Sequence, residues 1–218
     1  NLMIPYGRHH IDKEDLLAVN KVLRSNFLTQ GPLVSKFEKQ ISKYVGSKYA
    51  VVVSSCTAGL HLASIISNNV KGKKLLTSPI SFASTANSSL FTGGKVIFAD
   101  VEKDTGNISI QSTKEILKKN NINSISPVHF GGLPCDMISI NKLRKKNNLM
   151  VYEDAAHSFG AKYDRKNKVG SCKYSDMTVF SFHPVKSIAM GEGGCITTNN
   201  KEIYERLCRL RNHGIEKK

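Results

Sequence analysis

Two spacings of apolar residues alternate along this chain. Between Lys13 and Ser25 the apolar residues Leu16, Leu17, Val19 and Leu23 are separated by polar ones, as on one face of a helix, and Asp12 stands just before them as a cap. A second helix is expected from Leu33 to Val45, with Phe37, Ile41, Tyr44 and Val45 as its stripe and Gly46 as its stop. LTQGP, residues 28–32, must turn between the two. From Tyr49 onward short β-branched runs appear: YAVVV, KLLTS, KVIFADV, SISPVHF, LMVYED, TVFSF and CITTN. Helical spacing fills 57–68, 82–91, 113–120, 138–147 and 201–211. Such alternation predicts an α/β fold with a mostly parallel sheet and helices on both faces, a doubly wound arrangement. The chain divides on this reading into an N-terminal helical segment, 1–46, and a large α/β domain, 47–218, with no internal repeat and no low-complexity tract.

Composition narrows this picture only a little. With 218 residues and 40% hydrophobic content the chain can bury a real core. No apolar stretch approaches the roughly 20 residues that span a bilayer, and no basic segment followed by an apolar core opens the sequence, so a cytoplasmic protein is expected. The five cysteines, Cys56, Cys135, Cys172, Cys195 and Cys208, are odd in number, widely spaced and free of any CxxC pair, which speaks for reduced thiols and against a zinc site. A formal charge of +15 raises nucleic acid as a partner. The densest basic stretches are Lys71–Lys74, Arg144–Lys146 and Lys162–Lys168; they are scattered over loops and helix faces without interleaved aromatics, so no nucleic-acid site is expected. A basic surface still attracts anionic small molecules, and nucleotide sugars are of that kind.

In a sheet of this type ligands gather beyond the carboxyl ends of the strands. The segments there are 54–58, 78–82, 129–132, 154–157 and 181–186. SSCTAG, residues 54–59, joins a strand to a helix, so its free amides and the helix dipole suit a phosphate; an ordinary cap by Ser55 or Thr57 explains the same residues. Asp154 closes the run LMVYE, where an ionised carboxylate is costly unless a cation such as a protonated pyridine nitrogen faces it, or unless it caps the next helix. Ala155 and Ala156 are small enough for a flat ring to pack nearby, and His157 either reaches a ring substituent or is a satisfied loop histidine. Phe82 either stacks on a planar cofactor or belongs to the core. Ser181 is a phosphate donor, and Lys186, five residues on, is a nucleophile if its surroundings depress its pKa from the free value near ~10.4, and a surface charge otherwise. Gly191, Gly193 and Gly194 in MGEGG imply a turn with positive φ or a close approach, and do not form a dinucleotide fingerprint, because a strand rather than a helix follows. An amine that holds pyridoxal 5'-phosphate as a Schiff base needs a carboxylate for the ring nitrogen and a polar cradle for the phosphate; this chain offers residues for all three.

Taken together, IPYGRHHI, LTQGP, SSCTAGLHLA, EDAAHSFGA, SFHPVKSIAMGEGG and RLRNHG resemble, in order and spacing, the DegT/DnrJ/StrS sugar aminotransferases over nearly the whole chain. The resemblance implies a pyridoxal phosphate-dependent enzyme with the aspartate aminotransferase type I fold, which turns a keto group on a nucleotide-linked sugar into an amine. SSCTAGLHLA and FHPVKSIAMGEGG are most similar to members acting in pseudaminic acid synthesis, which aminate a UDP-linked 4-keto-6-deoxy-N-acetylhexosamine. By that resemblance Lys186 is the Schiff-base lysine, Asp154 the pyridinium partner, Thr57, Ala58 and Ser181 the phosphate cradle, Phe82 the stacking ring and His157 a contact to the phenolic oxygen. Tyr6 and Thr29 fall near the sugar-nucleotide pocket. Glutamate as donor, ping-pong kinetics and a homodimer with shared active sites are also implied. Family members continue past RNHG into the rest of the large domain and a small C-terminal domain, so that small domain is expected to be absent from this chain. Three alternatives stand beside this reading: a pyridoxamine-dependent sugar dehydratase, which Lys186 opposes because those relatives replace the lysine; a non-catalytic regulatory or DNA-binding relative; and an inactive piece that keeps the fold.

Overall fold

Helix starts and stops lie where local chemistry puts them. The computed structural model describes residues 4, 5 and 7–215. Helix α1, Lys13–Leu23, begins with a capping box: Asp12 accepts from the amides of Glu14 and Asp15, and Asp15 accepts in return from the amide of Asp12. Helix α2, Pro32–Val45, has its proline in the first turn, where the missing N–H costs nothing, and ends at Gly46 with φ +82°, a left-handed stop that favours glycine. Strands β1, Tyr49–Val53, β2, Lys74–Thr77, β3, Lys95–Phe98, β4, Ser124–Ser126, β5, Met150–Asp154, β6, Met177–Ser181, and β7, Gly194–Thr198, follow the β-branched runs. Between them lie α3, Cys56–Ile66, α4, Ser84–Leu90, α5, Ile110–Lys119, and α6, Met137–Asn147; α7, Lys201–Arg211, comes last.

These strands form one seven-stranded sheet in the order β3-β2-β4-β5-β6-β7-β1. All neighbours are parallel except β7, which runs antiparallel to both β6 and β1. The mostly parallel expectation therefore holds, with one reversed strand. That reversal has a simple cause: β6 and β7 are joined by residues 182–193, which contain no helix to carry the chain back across the sheet. It also puts the amino end of β7 beside the carboxyl ends of the other strands, so the glycines before it border the ligand edge.

Alternation along the strands sorts the core onto two faces. Val51, Val53, Tyr152, Met177, Val179 and Ile196 pack with Leu60, Ala63 and Ile66 of α3 and Ile203 and Leu207 of α7. On the other face, Ile125 and Val151 meet Met137 and Ile140 of α6, while Phe180, Phe182 and Cys195 meet Ile41 and Val45 of α2. Glu38 of α2 ties this end together, accepting from the amide of Val52 at 2.9 Å and from the guanidinium of Arg211. Helix α1 has the amphipathic pattern but no buried residue; Leu16, Leu17, Val19 and Leu23 are all exposed. Among the described residues no helix is long and apolar enough to cross a membrane, and all five cysteines are free. The basic stretches do structural work: Arg144 grips Asp176 through its guanidinium, and Lys168 donates to the carbonyl of Tyr44 at 2.9 Å while lying over its ring.

Candidate active site

The carboxyl ends of β5 and β6 are adjacent, with Asp154 paired in register to Val179. Asp154 is 3% exposed and points to the α3 and α4 side of the sheet, the side that Tyr152 occupies two residues earlier. Its carboxylate accepts from Thr85 Oγ1 at 2.6 Å and from the amide of Ala156 at 3.2 Å, and it forms no salt bridge with a described residue. Thr85 in turn lies within hydrogen-bond reach of Ser81 Oγ. Because one hydroxyl carries one proton, the short bond to Asp154 makes Thr85 the donor there and Ser81 the donor to Thr85.

Lys186 comes from the loop after β6, and its Nζ stands 2.6 Å from Nε2 of His157, in the loop after β5. Burial lowers the pKa of the Lys186 amine, against the opposing charges of Cys56 and Asp154. Burial also lowers His157, helped by the charge of Lys186 and opposed by Asp154. The surroundings thus disfavour the charged form of both groups, and the short contact between the two nitrogens needs one proton between them. Cys56, the first residue of α3, feels both Asp154 and Lys186; burial pushes its thiol well above the usual range, with Asp154 adding to the rise.

The turn at the head of α3 borders the same edge. Ser55 caps the helix by accepting from the amide of Ala58 at 3.1 Å, so that amide is already engaged, and Thr57 is half-buried beside it. Gly194, at the start of β7, passes so close that a Cβ there would meet Ser55 C and O at 2.6 Å and Cys56 N at 2.7 Å, all backbone. This close approach, together with φ +75° at Gly191, is the reason for the glycine run. Ser181 is buried at the end of β6, its Oγ accepting from the amide of His183 at 3.4 Å.

Phe82 precedes α4 and is 79% exposed, so it serves no core. Thr29 lies exposed in the turn between α1 and α2. Tyr6 lies outside the described residues. The fold thus joins Asp154, His157 and Lys186 into one electrostatic group and sets Thr57, Ala58 and Ser181 on the same edge of the sheet, while Thr29 stands on a separate element.

Sequence reasoning passed over Thr85 and Glu153, and marked 129–132 only as an edge segment without giving His129 a role. Thr85 left no signal beyond a polar position in a short helix. Glu153 left a better one: two consecutive carboxylates at the end of a buried strand must face opposite sides, and the second needs its own donors.

The match to known proteins settles the family. Residues 9–218 match the model of the DegT/DnrJ/EryC1/StrS aminotransferase family. The chain belongs to this family. Among relatives of this DegT-family chain, a UDP-4-amino-4,6-dideoxy-N-acetyl-beta-L-altrosamine transaminase of Campylobacter jejuni is 44% identical over 218 residues, covering 99% of this chain and 57% of that protein. A UDP-4-amino-4-deoxy-L-arabinose--oxoglutarate aminotransferase of Shewanella sediminis is 33% identical over 99% of this chain and 54% of its own length. The structure of Helicobacter pylori PseC, an aminotransferase involved in the biosynthesis of pseudoaminic acid, superposes with a TM-score of 0.92 at 34% identity, over 98% of this chain and 57% of that one. This DegT-family chain therefore spans a little over half the length of the relatives it matches.

Proposed function

We propose that the protein is a pyridoxal 5'-phosphate-dependent aminotransferase that converts a nucleotide-linked keto sugar into an amino sugar. The observation that carries this reading is the meeting of the Lys186 amine, the His157 ring and the buried Asp154 carboxylate at the ends of two adjacent strands. The residues present fit the cofactor: a carboxylate 3% exposed, with two donors and no cation in salt-bridge contact among the described residues, suits a protonated ring nitrogen. When bound, the cofactor supplies an electron sink and an exchangeable amino group.

The protein's part is to hold, orient and move protons. Asp154 would keep a proton on the ring nitrogen, and Thr85 holds Asp154 in place. Lys186 would hold the cofactor through its amine and, when free, move a proton; burial lowers its pKa, which favours the unprotonated amine that both roles need. His157, in hydrogen-bond contact with that amine, would supply a contact to the cofactor's ring oxygen. Thr57, at the positive end of α3, and Ser181 would receive the phosphate, with Ala58 lining the turn while the Ser55 cap holds its amide and keeps the turn in shape. Phe82, exposed and unspent in the core, would stack on the ring. By the same reading Tyr6 and Thr29 would be contacts to the sugar nucleotide.

The substrate we favour is a UDP-linked 4-keto-6-deoxy-N-acetylhexosamine, as in the Campylobacter jejuni relative's name, and the donor is glutamate, which fits the oxoglutarate in the name of the Shewanella sediminis relative. The enzyme works in the cytoplasm by a ping-pong cycle, as a homodimer whose subunits complete each other's sites; the uncovered apolar face of α1 supports such an association. The lysine opposes the dehydratase alternative.

Borohydride treatment of the cofactor-loaded protein tests the assignment. Pyridoxal phosphate should become fixed to the peptide containing Lys186, and Lys186→Ala should abolish the adduct. Fixation elsewhere, or retention in the variant, removes Lys186 from this role. A panel of UDP- and dTDP-linked keto sugars with glutamate tests the substrate.

A further inference from the structure

We infer that the buried pair Glu153 and His129, on the face of the sheet opposite Asp154, is a positioning device for the Asp154, His157 and Lys186 group. The inference rests on the cofactor-site reading above. Glu153 is fully buried, and its carboxylate receives four donors: His129 Nε2 at 2.7 Å, Thr178 Oγ1 at 2.8 Å, and the hydroxyls of Tyr163 and Ser175. So many side-chain donors around one carboxylate, one residue from the candidate site, exceed what packing a strand requires.

His129 is held on every side. Its Nδ1 accepts from the amide of Cys135 at 3.1 Å, so that nitrogen carries no proton and the ring donates through Nε2 to Glu153. Its own amide donates to the carbonyl of Asp154 at 3.0 Å, and its carbonyl accepts from the amide of Gly132 at 3.1 Å. The residue whose ring Glu153 fixes thus anchors, through its own main chain, both the backbone of Asp154 and the turn at 130–132.

That turn reaches the site. Gly132, with φ +91°, lies against the loop after β5 so closely that a Cβ would stand 2.8 Å from the carbonyl oxygen of His157. From Glu153 the contacts run through His129 and Gly132 to His157, and from its ring to Nζ of Lys186. A second branch runs from His129 to the backbone of Asp154. Packed strands and turns of this kind transmit sub-ångström shifts because the interior has no slack.

The test reads the amine rather than turnover. In cofactor-free protein, the rate of Lys186 acylation is followed against pH by peptide mass, and pyridoxal phosphate affinity is measured by absorbance. Glu153→Gln and His129→Asn should displace the acylation midpoint and weaken cofactor binding about tenfold, the scale of one coupled contact. Leu207→Ala, in the core on the α7 side, serves as a control that lowers the melting temperature while leaving both readouts in place. If Glu153→Gln behaves like Leu207→Ala, the positioning role is wrong. Should the Glu153 and His129 variants fail to fold, Gly132→Ala acts at the last contact alone; a folded Gly132→Ala protein with an unchanged midpoint also overturns it. If borohydride fixes no cofactor at Lys186 in the unaltered protein, the cofactor reading fails, and the acylation midpoints still decide the positioning.

Discussion

The ε-amine of Lys186 lies 2.6 Å from Nε2 of His157, across 29 residues of sequence, and the Asp154 carboxylate sits close enough to act on the charge of both. Burial lowers the lysine, so its proton leaves at a lower pH in the fold than in an unfolded chain, where the value is near ~10.4. Between those two values the unfolded chain holds more protons than the fold, so stability rises with pH across that window. Acylation of Lys186 in cofactor-free protein should show a midpoint below that of ordinary lysines, and the rise in stability should vanish in Lys186→Met. A midpoint at or above ~10.4 contradicts the arrangement.

Thr85 is the main side-chain donor to a carboxylate that is almost wholly buried. Thr85→Val keeps the shape and removes the hydroxyl, which should lower stability by about 1–3 kcal/mol, the cost of leaving a buried polar group unpaired. Thr85→Ser should restore most of it. Urea denaturation of cofactor-free protein measures the difference, and equal midpoints for valine and threonine would show that the carboxylate is satisfied elsewhere.

At Gly194 the close contacts are backbone atoms of Ser55 and Cys56, which cannot swing aside as a side chain can. Gly194→Ala should destabilise by about 1–3 kcal/mol, as overpacking does, and should disturb the head of α3 along with it. Thermal unfolding gives the first effect and pyridoxal phosphate affinity the second. A variant as stable as the parent, with unaltered affinity, would mean that β7 can move away freely.

Asp154→Asn preserves size and one acceptor while removing the charge. The variant should still bind some pyridoxal phosphate yet turn over about 100-fold more slowly, a typical loss when a built-in electrostatic partner is deleted. Steady-state rates with glutamate and a keto sugar measure this. Undiminished turnover takes Asp154 out of the chemistry.

Much of the architecture was legible because it rests on local rules. The Asp12 cap, the Gly46 stop and the β-branched runs act within a few residues, and each marks its element in the amino-acid order. The reversed direction of β7 was not, since strand polarity depends on where the intervening chain packs. Nor was the exposure of α1, whose stripe of leucines and valines reads the same whether or not a surface covers it.

The residue types of the site, a lysine, an acid, a histidine and small or hydroxyl side chains at strand ends, were written in the chain itself, and the family resemblance rests on the same letters. Only the tertiary structure brought Lys186 onto His157, turned Thr85 toward Asp154 and placed Glu153 and His129 together behind them. The physical reason is range: capping and strand alternation are settled between near neighbours, whereas a hydrogen bond between residues 29 or 69 apart exists only after the sheet has paired and packed.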